Sequence, residues 1–225
     1  MSHLNGQLYI VATPIGNLGD ISARAKEILS SVDLVLCEDT RVTSKLLATL
    51  EIHPSTMSFH EHTDPLKRKQ IVDRLVNGAK IALVTDAGTP AISDPGGFLV
   101  KDAVDAGITV TPIPGPSAVI AALSISGFAI DRFTFLGFPP HKKGRNGFFA
   151  DIAGLEHAVV LYESTHRITK TLEALKELGR PLVVCRELTK MHETIYRGTA
   201  EEILKQLDET STKGEFVIVV GRQSS

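Results

Sequence analysis

Apolar residues recur along the chain with two periods. Short runs rich in Val, Ile and Leu alternate with longer stretches whose apolar positions return every three or four residues. The first pattern predicts strands over 7–12, 33–37, 56–59, 80–84, 108–112, 133–136, 158–162, 181–186, 193–197 and 215–220. The second predicts helices over 21–30, 40–50, 65–77, 97–106, 116–126, 165–178 and 199–207. This alternation is that of βαβ units, so an α/β protein with mostly parallel sheets is expected.

The pattern is interrupted at "TPIPGPSAV", residues 111–119, where three prolines and a glycine break it and Ser117 can open a new helix. A joint there divides the chain into an N-terminal α/β lobe over 1–113 and a C-terminal α/β lobe over 114–225. Residues 139–147, "PPHKKGRNG", read as a loop with four cationic or potentially cationic side chains between His141 and Arg145.

Composition narrows the function classes. With 225 residues, 43% of them hydrophobic, the chain can bury a substantial core, yet its apolar runs fall well short of the ~20 residues of a membrane helix. The first residues, "MSHLNGQLYIVATP", lack the basic region and cleavage site of a secretion signal, so a cytoplasmic protein without a membrane span is expected. A net charge of −2 argues against a protein that coats nucleic acid, while leaving room for a local basic patch. Cys37 and Cys185 lie in strand-like runs without CxxC spacing and read as buried reduced thiols.

Two glycine-rich loops follow predicted strands in the first lobe: "ATPIGNLGD" (12–20) and, within "LVTDAGTPAISDPG" (83–96), the part after the apolar run. Open α/β sheets bind ligands at such strand ends. Neither loop is a GxGxxG fingerprint or a phosphate loop of the GxxxxGK type. Asp20 as a helix cap, with glycines merely shaping the turn, is the plain reading of the first. The second carries Asp86 and Asp94 and no Lys or Arg, so its field favours a cation over a phosphate. His60, Glu61, His62 and Asp64 are the nearest metal candidates but lack a clear third ligand on one face, and no metal site is expected. Ser117 in "GPSAV" does not fit a nucleophile elbow. In the second lobe, Glu163, Arg167, Arg186, Glu187, Lys190 and Glu215 cluster near strand ends and would line a cleft if those ends converge.

In order along the chain, "YIVATPIGNLGD", "CEDTR", "FHEHT", "TDAGTPAISDPG", "PIPGPSA", "YESTHR", "RELTK" and "KGE" closely resemble the ribosomal RNA small subunit methyltransferase I family. That family is the ribose 2′-O-methyltransferase branch of the tetrapyrrole methylase superfamily. The resemblance runs from about residue 7 to 220 and implies two αβα lobes of the tetrapyrrole methylase type with the cofactor cleft between them. It further implies S-adenosylmethionine as cofactor, a homodimer, and methylation of a cytidine ribose in small-subunit ribosomal RNA, either free or in the assembled small subunit. Members commonly continue into a further helical segment beyond the position matching the last residues here.

By position, the resemblance assigns the cofactor to Pro14, Gly16, Asn17, Asp86, Ala87, Gly88, Thr89, Ser117, Ala118, Phe138, Tyr162 and the 213–215 turn. An acidic, lysine-free loop suits the cationic sulfonium of that cofactor. A ribose hydroxyl needs a base as its proton leaves. Glu38, Asp39, His60, Glu163, Glu187 and Lys190 qualify by chemistry, and the carboxylates of "CEDTR" and "RELTK" (Glu38, Asp39, Glu187) are favoured, with a helix cap as the plain reading of Asp39. Lys142, Lys143 and Arg145 would meet RNA phosphates. The competing readings are a methyltransferase for a tetrapyrrole or other small molecule, and a non-catalytic RNA-binding protein.

Overall fold

A computed structural model describes residues 6–60, 62–93 and 96–222, and the chain divides into two compact units, Met1–Ser117 and Ala118–Ser225. The boundary falls four residues beyond the joint expected at 113/114.

The first unit alternates β1 (Gln7–Val11), α1 (Ala23–Ser31), β2 (Leu34–Cys37), α2 (Thr40–Thr49), β3 (Thr56–Ser58), α3 (Pro65–Val76), β4 (Lys80–Leu83), α4 (Gly97–Asp105) and β5 (Thr109–Ile113). Its sheet has the order β3-β2-β4-β1-β5, with every pair parallel. Because strand side chains alternate, Leu8, Leu36 and Leu83 pack on Ile71 and Leu75 of α3 and Leu99 of α4. Val35, Cys37 and Val84 turn the other way, onto Leu29 of α1 and Leu47 of α2. The result is an αβα sandwich. β1 and β4 are neighbours, yet the chain leaves β1 for the face carrying α1 and leaves β4 for the face carrying α4. Their loops therefore part company at the carboxyl edge, the switch point where open α/β sheets receive ligands.

The second unit holds α5 (Ala118–Ser124), β6 (Phe133–Phe135), α6 (Arg145–Ala153), β7 (Ala158–Ser164), α7 (Ile168–Lys176), β8 (Leu182–Arg186), β9 (Thr194–Gly198), α8 (Ala200–Glu209) and β10 (Glu215–Val220). Its core joins Phe149 and Ile152 of α6, Leu172 of α7 and Ile203 of α8 to one face of the sheet, while α5 packs against β10. The order is β6-β7-β10-β8-β9, and only β6 and β7 are parallel. The expectation of mostly parallel sheets is thus corrected for this unit. β7 and β8 do run the same way across α7, but the crossover leaves a gap between them that β10 fills from the opposite direction. β8 and β9 are joined by a segment too short for a crossover helix, so they pair as a hairpin.

Helix α6 is a second difference, because its first residues fall in the stretch that reads as loop. Its N-cap, Gly144, is left-handed and offers no side-chain cap, so no start signal marks it. Asp20 does not cap α1 either. Ser22 does, accepting from the N–H of Ala25 at 3.1 Å, while Asn17 caps the 3-10 turn Leu18–Asp20. Cys37 and Cys185 are buried and free, and burial pushes the Cys185 thiol up to about 12. Among the described residues no helix is long and apolar enough to cross a membrane.

Candidate active site

Three loops are laced together at the carboxyl edge of the first sheet. Thr13, just past β1, exchanges two backbone hydrogen bonds with Gly88, at 2.9 and 3.1 Å. The buried Thr13 hydroxyl donates to the carbonyl of Thr85 at 3.0 Å. Ala12 N–H donates to the Ile113 carbonyl at 3.2 Å, and Thr89 Oγ1 donates to the Pro116 carbonyl at 3.3 Å. Gly88 has φ +85°, and a Cβ there would stand 3.4 Å from Ile15 and 3.9 Å from the Pro116 carbonyl. A Cβ on Gly115 would come within 2.9 Å of the Ala12 methyl, so only glycine lets these two loops close up. Of the residues assigned to the cofactor, Pro14, Gly16, Asn17, Asp86, Ala87, Gly88 and Thr89 gather at this edge. Ser117 ends the first unit and Ala118 opens α5. Asp94 and Glu61 lie outside the described residues. Among those described, no three His, Cys, Asp or Glu side chains gather as metal ligands.

The acidic side chains at this edge have distinct tasks. Asp86 Oδ1 accepts from the Asp39 N–H at 3.2 Å, tying the β4 loop to the start of α2. Asp39 is the N-cap of α2, accepting from the Arg41 N–H at 2.8 Å, and its carboxylate also grips the Arg41 guanidinium. These hydrogen bonds from Arg41 hold the Asp39 carboxyl down to about 2. Glu38, exposed at the end of β2, accepts from the Thr85 hydroxyl at 3.4 Å. Thr13 and Thr85, which knit the edge, are not singled out by the sequence motifs. The signal for them is a threonine closing each apolar run before a glycine loop.

In the second unit the antiparallel insertion of β10 brings its first residue to the same edge as the ends of β7 and β8. Glu187 Oε1 accepts from the Glu215 N–H at 2.8 Å and from Lys190 Nζ at 3.0 Å, while Lys190 also reaches Glu215 Oε2 at 2.8 Å. Thr165 donates to the Gly214 carbonyl at 2.8 Å, and Arg186 Nε donates to the Lys213 carbonyl at 2.6 Å. Burial would raise the Glu187 carboxyl, but the Glu215 N–H and the Lys190 ammonium together hold it below the usual range. Burial would likewise lower Lys190, and its two carboxylate partners outweigh that and raise it, so its amine stays charged. Four of the five described non-glycine residues with left-handed backbone fall in two of these edge loops: Ala91 and Ser93, Glu187 and Thr189. Strain of this kind gathers at functional sites.

Phe138 is 52% exposed and its ring lies 5.5 Å from that of Tyr162, forming an aromatic corner beside β7. Lys142 and Lys143 are exposed. Arg145 is not: it is 8% exposed, stacks over Phe149 at 5.0 Å and donates to Thr171 at 2.8 Å. It therefore leaves the basic patch. Its place on α6, one turn before Phe149, turns it inward.

Comparison with known proteins decides the family. The family described as Tetrapyrrole (Corrin/Porphyrin) Methylases matches residues 7–204. The ribosomal RNA small subunit methyltransferase I of Xylella fastidiosa (strain Temecula1) is 48% identical over 221 residues, covering 96% of this chain and 81% of that protein. Its Escherichia coli O157:H7 namesake is 46% identical over 221 residues, covering 96% and 77%. The chain belongs to the tetrapyrrole methylase family, in its ribosomal RNA small subunit methyltransferase I group.

Solved structures agree on the fold of this methylase. Cobalt precorrin-4 methyltransferase superposes with a TM-score of 0.67 at 21% identity, covering 98% of this chain and 95% of that one. Uroporphyrin-III C-methyltransferase of Thermus thermophilus gives 0.64 at 19% identity, covering 96% and 94%. The two αβα lobes expected from the resemblance are borne out, and the cofactor of the family is S-adenosylmethionine. The β1–β4 edge fits such a group: its wall at Gly88 and Gly115 is bare backbone, and the described part of the β4 loop carries Asp86 but no cation.

Proposed function

We propose that this methylase transfers a methyl group from S-adenosylmethionine to the 2′-hydroxyl of a cytidine ribose in small-subunit ribosomal RNA. The observation that carries the reading is the 46 to 48% identity along nearly the whole chain to proteins of that name. The laced strand-end loops support it, being the kind of edge on which an α/β sheet binds a small molecule.

The backbone of Pro14, Gly16 and Asn17, of Asp86–Thr89 and of Ser117 would hold the cofactor at the strand-end edge of the first unit. When bound, S-adenosylmethionine supplies the methyl group on a cationic sulfonium, so the protein has only to align and activate the acceptor. Asp86 would supply negative charge suited to a cationic group and, through the Asp39 N–H, fixes the neighbouring strand end. A proton must leave the ribose hydroxyl. Asp39 and Glu187 are held low by their partners and Lys190 is kept charged, which weakens all three as proton acceptors. We assign the base to Glu38, which stands exposed at the end of β2 and meets the β4 loop through the Thr85 hydroxyl at 3.4 Å. Lys142 and Lys143 meet RNA phosphates, and the active form is a homodimer in the cytoplasm.

Incubation with labelled S-adenosylmethionine and either small ribosomal subunits or free ribosomal RNA should place label on one ribose 2′-oxygen. Cofactor binding with no label on either RNA rejects the reading. Replacing Lys142 and Lys143 together by alanine should lower the slope of log affinity against log salt by about 1.4, the loss of two phosphate contacts to single-stranded RNA. An unchanged slope removes these lysines from the interface.

A further inference from the structure

A buried charged network lies beneath the basic loop, and the chemistry above does not use it. Glu163 is 1% exposed and Thr171 is 0% exposed. Thr171 donates its hydroxyl to Glu163 Oε2 at 2.5 Å and accepts from Arg145 Nη2 at 2.8 Å. Glu163 Oε1 accepts from the Ser164 N–H at 2.8 Å and lies 3.6 Å from Arg167 Nε. Both arginines then turn to the loop. Arg145 donates to the Pro140 carbonyl at 3.3 Å, Arg167 donates to the Pro139 carbonyl, and Arg167 Nη1 sits 3.4 Å from His141 Nε2.

We propose that Glu163, Thr171, Arg145 and Arg167 form a positioning latch that fixes the 139–144 turn, with Lys142 and Lys143 exposed on it, for contact with the RNA. The identity of the ligand rests on the function proposed above. Taking a carboxylate and a guanidinium out of water is unfavourable unless each is paired, and an apolar residue would fill the same space at less cost. What the network supplies is geometry: two carbonyls and one imidazole of the loop are tied to the end of β7 and the start of α7. Lysines presented on a fixed turn lose less freedom when they meet a phosphate. Thr171 is the link, because its single hydroxyl serves Arg145 and Glu163 at once.

Thr171→Val removes that hydroxyl and keeps the shape, whereas Thr171→Ser keeps the hydroxyl. The valine variant should bind S-adenosylmethionine as the parent does. It should bind ribosomal RNA about tenfold more weakly and be cut by trypsin after Lys142 and Lys143 about tenfold faster, the size of one lost hydrogen bond to charged groups. The serine variant should match the parent in both. Equal behaviour of the two variants, in RNA affinity and cleavage, overturns the latch. If the valine variant does not fold, Arg145→Met, which retains a stem over Phe149, reads the same two assays. A parent protein that binds no ribosomal RNA would defeat the functional reading, while the cleavage comparison would still decide the latch.

Discussion

Replacing Glu38 by glutamine lowers the rate of methyl transfer by about a hundredfold or more while S-adenosylmethionine binding stays unchanged. A positioned base contributes roughly 10²- to 10⁴-fold, so its loss is readable in single turnover. The comparison with its neighbours sharpens the test. Asp39 is already committed to capping α2 and to Arg41, with its carboxyl near 2, and a base that weak at neutral pH accepts a proton poorly. Glu187 is bound by Lys190 and the Glu215 N–H. Asp39→Asn and Glu187→Gln should therefore affect the chemical step far less than Glu38→Gln, although each can disturb local structure. A Glu38→Gln rate within about threefold of the parent would move the role elsewhere, because so small a loss is below what a general base supplies.

Gly88→Val weakens S-adenosylmethionine binding by about tenfold or more. A left-handed backbone costs an L-residue about 1–2 kcal/mol, and a branched side chain aggravates it. At Gly88 that strain is delivered to the paired hydrogen bonds with Thr13, and the added atoms face Ile15 and the Pro116 carbonyl. Relaxation there shifts Ala87 and Thr89 with it. Gly107→Val is the matched control: its φ is +73°, with nothing within 4 Å of an added Cβ. Both variants should melt lower, and only Gly88→Val should lose cofactor affinity, measured by calorimetry at a temperature where both are folded. Equal affinities would mean that the Gly88 wall is not part of the cofactor site.

All ten described strands and seven of the eight described helices are legible from period alone, with ends shifted by a few residues. Period-two alternation says which face a residue takes but not which way the strand runs, so the reversed β10 and the β8–β9 hairpin are invisible to it. Helix α6 is hidden by its uncapped start and by Phe148 and Phe149, which sit side by side rather than a turn apart. The glycine loops are legible because a close backbone approach demands glycine. The fate of Arg145 is not: arginine beside two lysines reads as surface, and its burial depends on a carboxylate and a hydroxyl brought from β7 and α7.

The place of β10 also bears on how the protein comes off the ribosome. The first sheet has all its strands once about half the chain has emerged, whereas β7 and β8 lack their shared neighbour until β10, the last described strand, has been made. The Glu187–Lys190–Glu215 cluster and the Thr165–Gly214 bonds can form only then. Until that moment the nascent chain carries, besides the outer edges of β6 and β9, two further unpaired edges on β7 and β8, the kind of exposed edge that invites wrong pairing. Slow synthesis just ahead of β10 would lengthen that exposure, and a chain interrupted there would carry a complete first lobe beside a second one open at its centre.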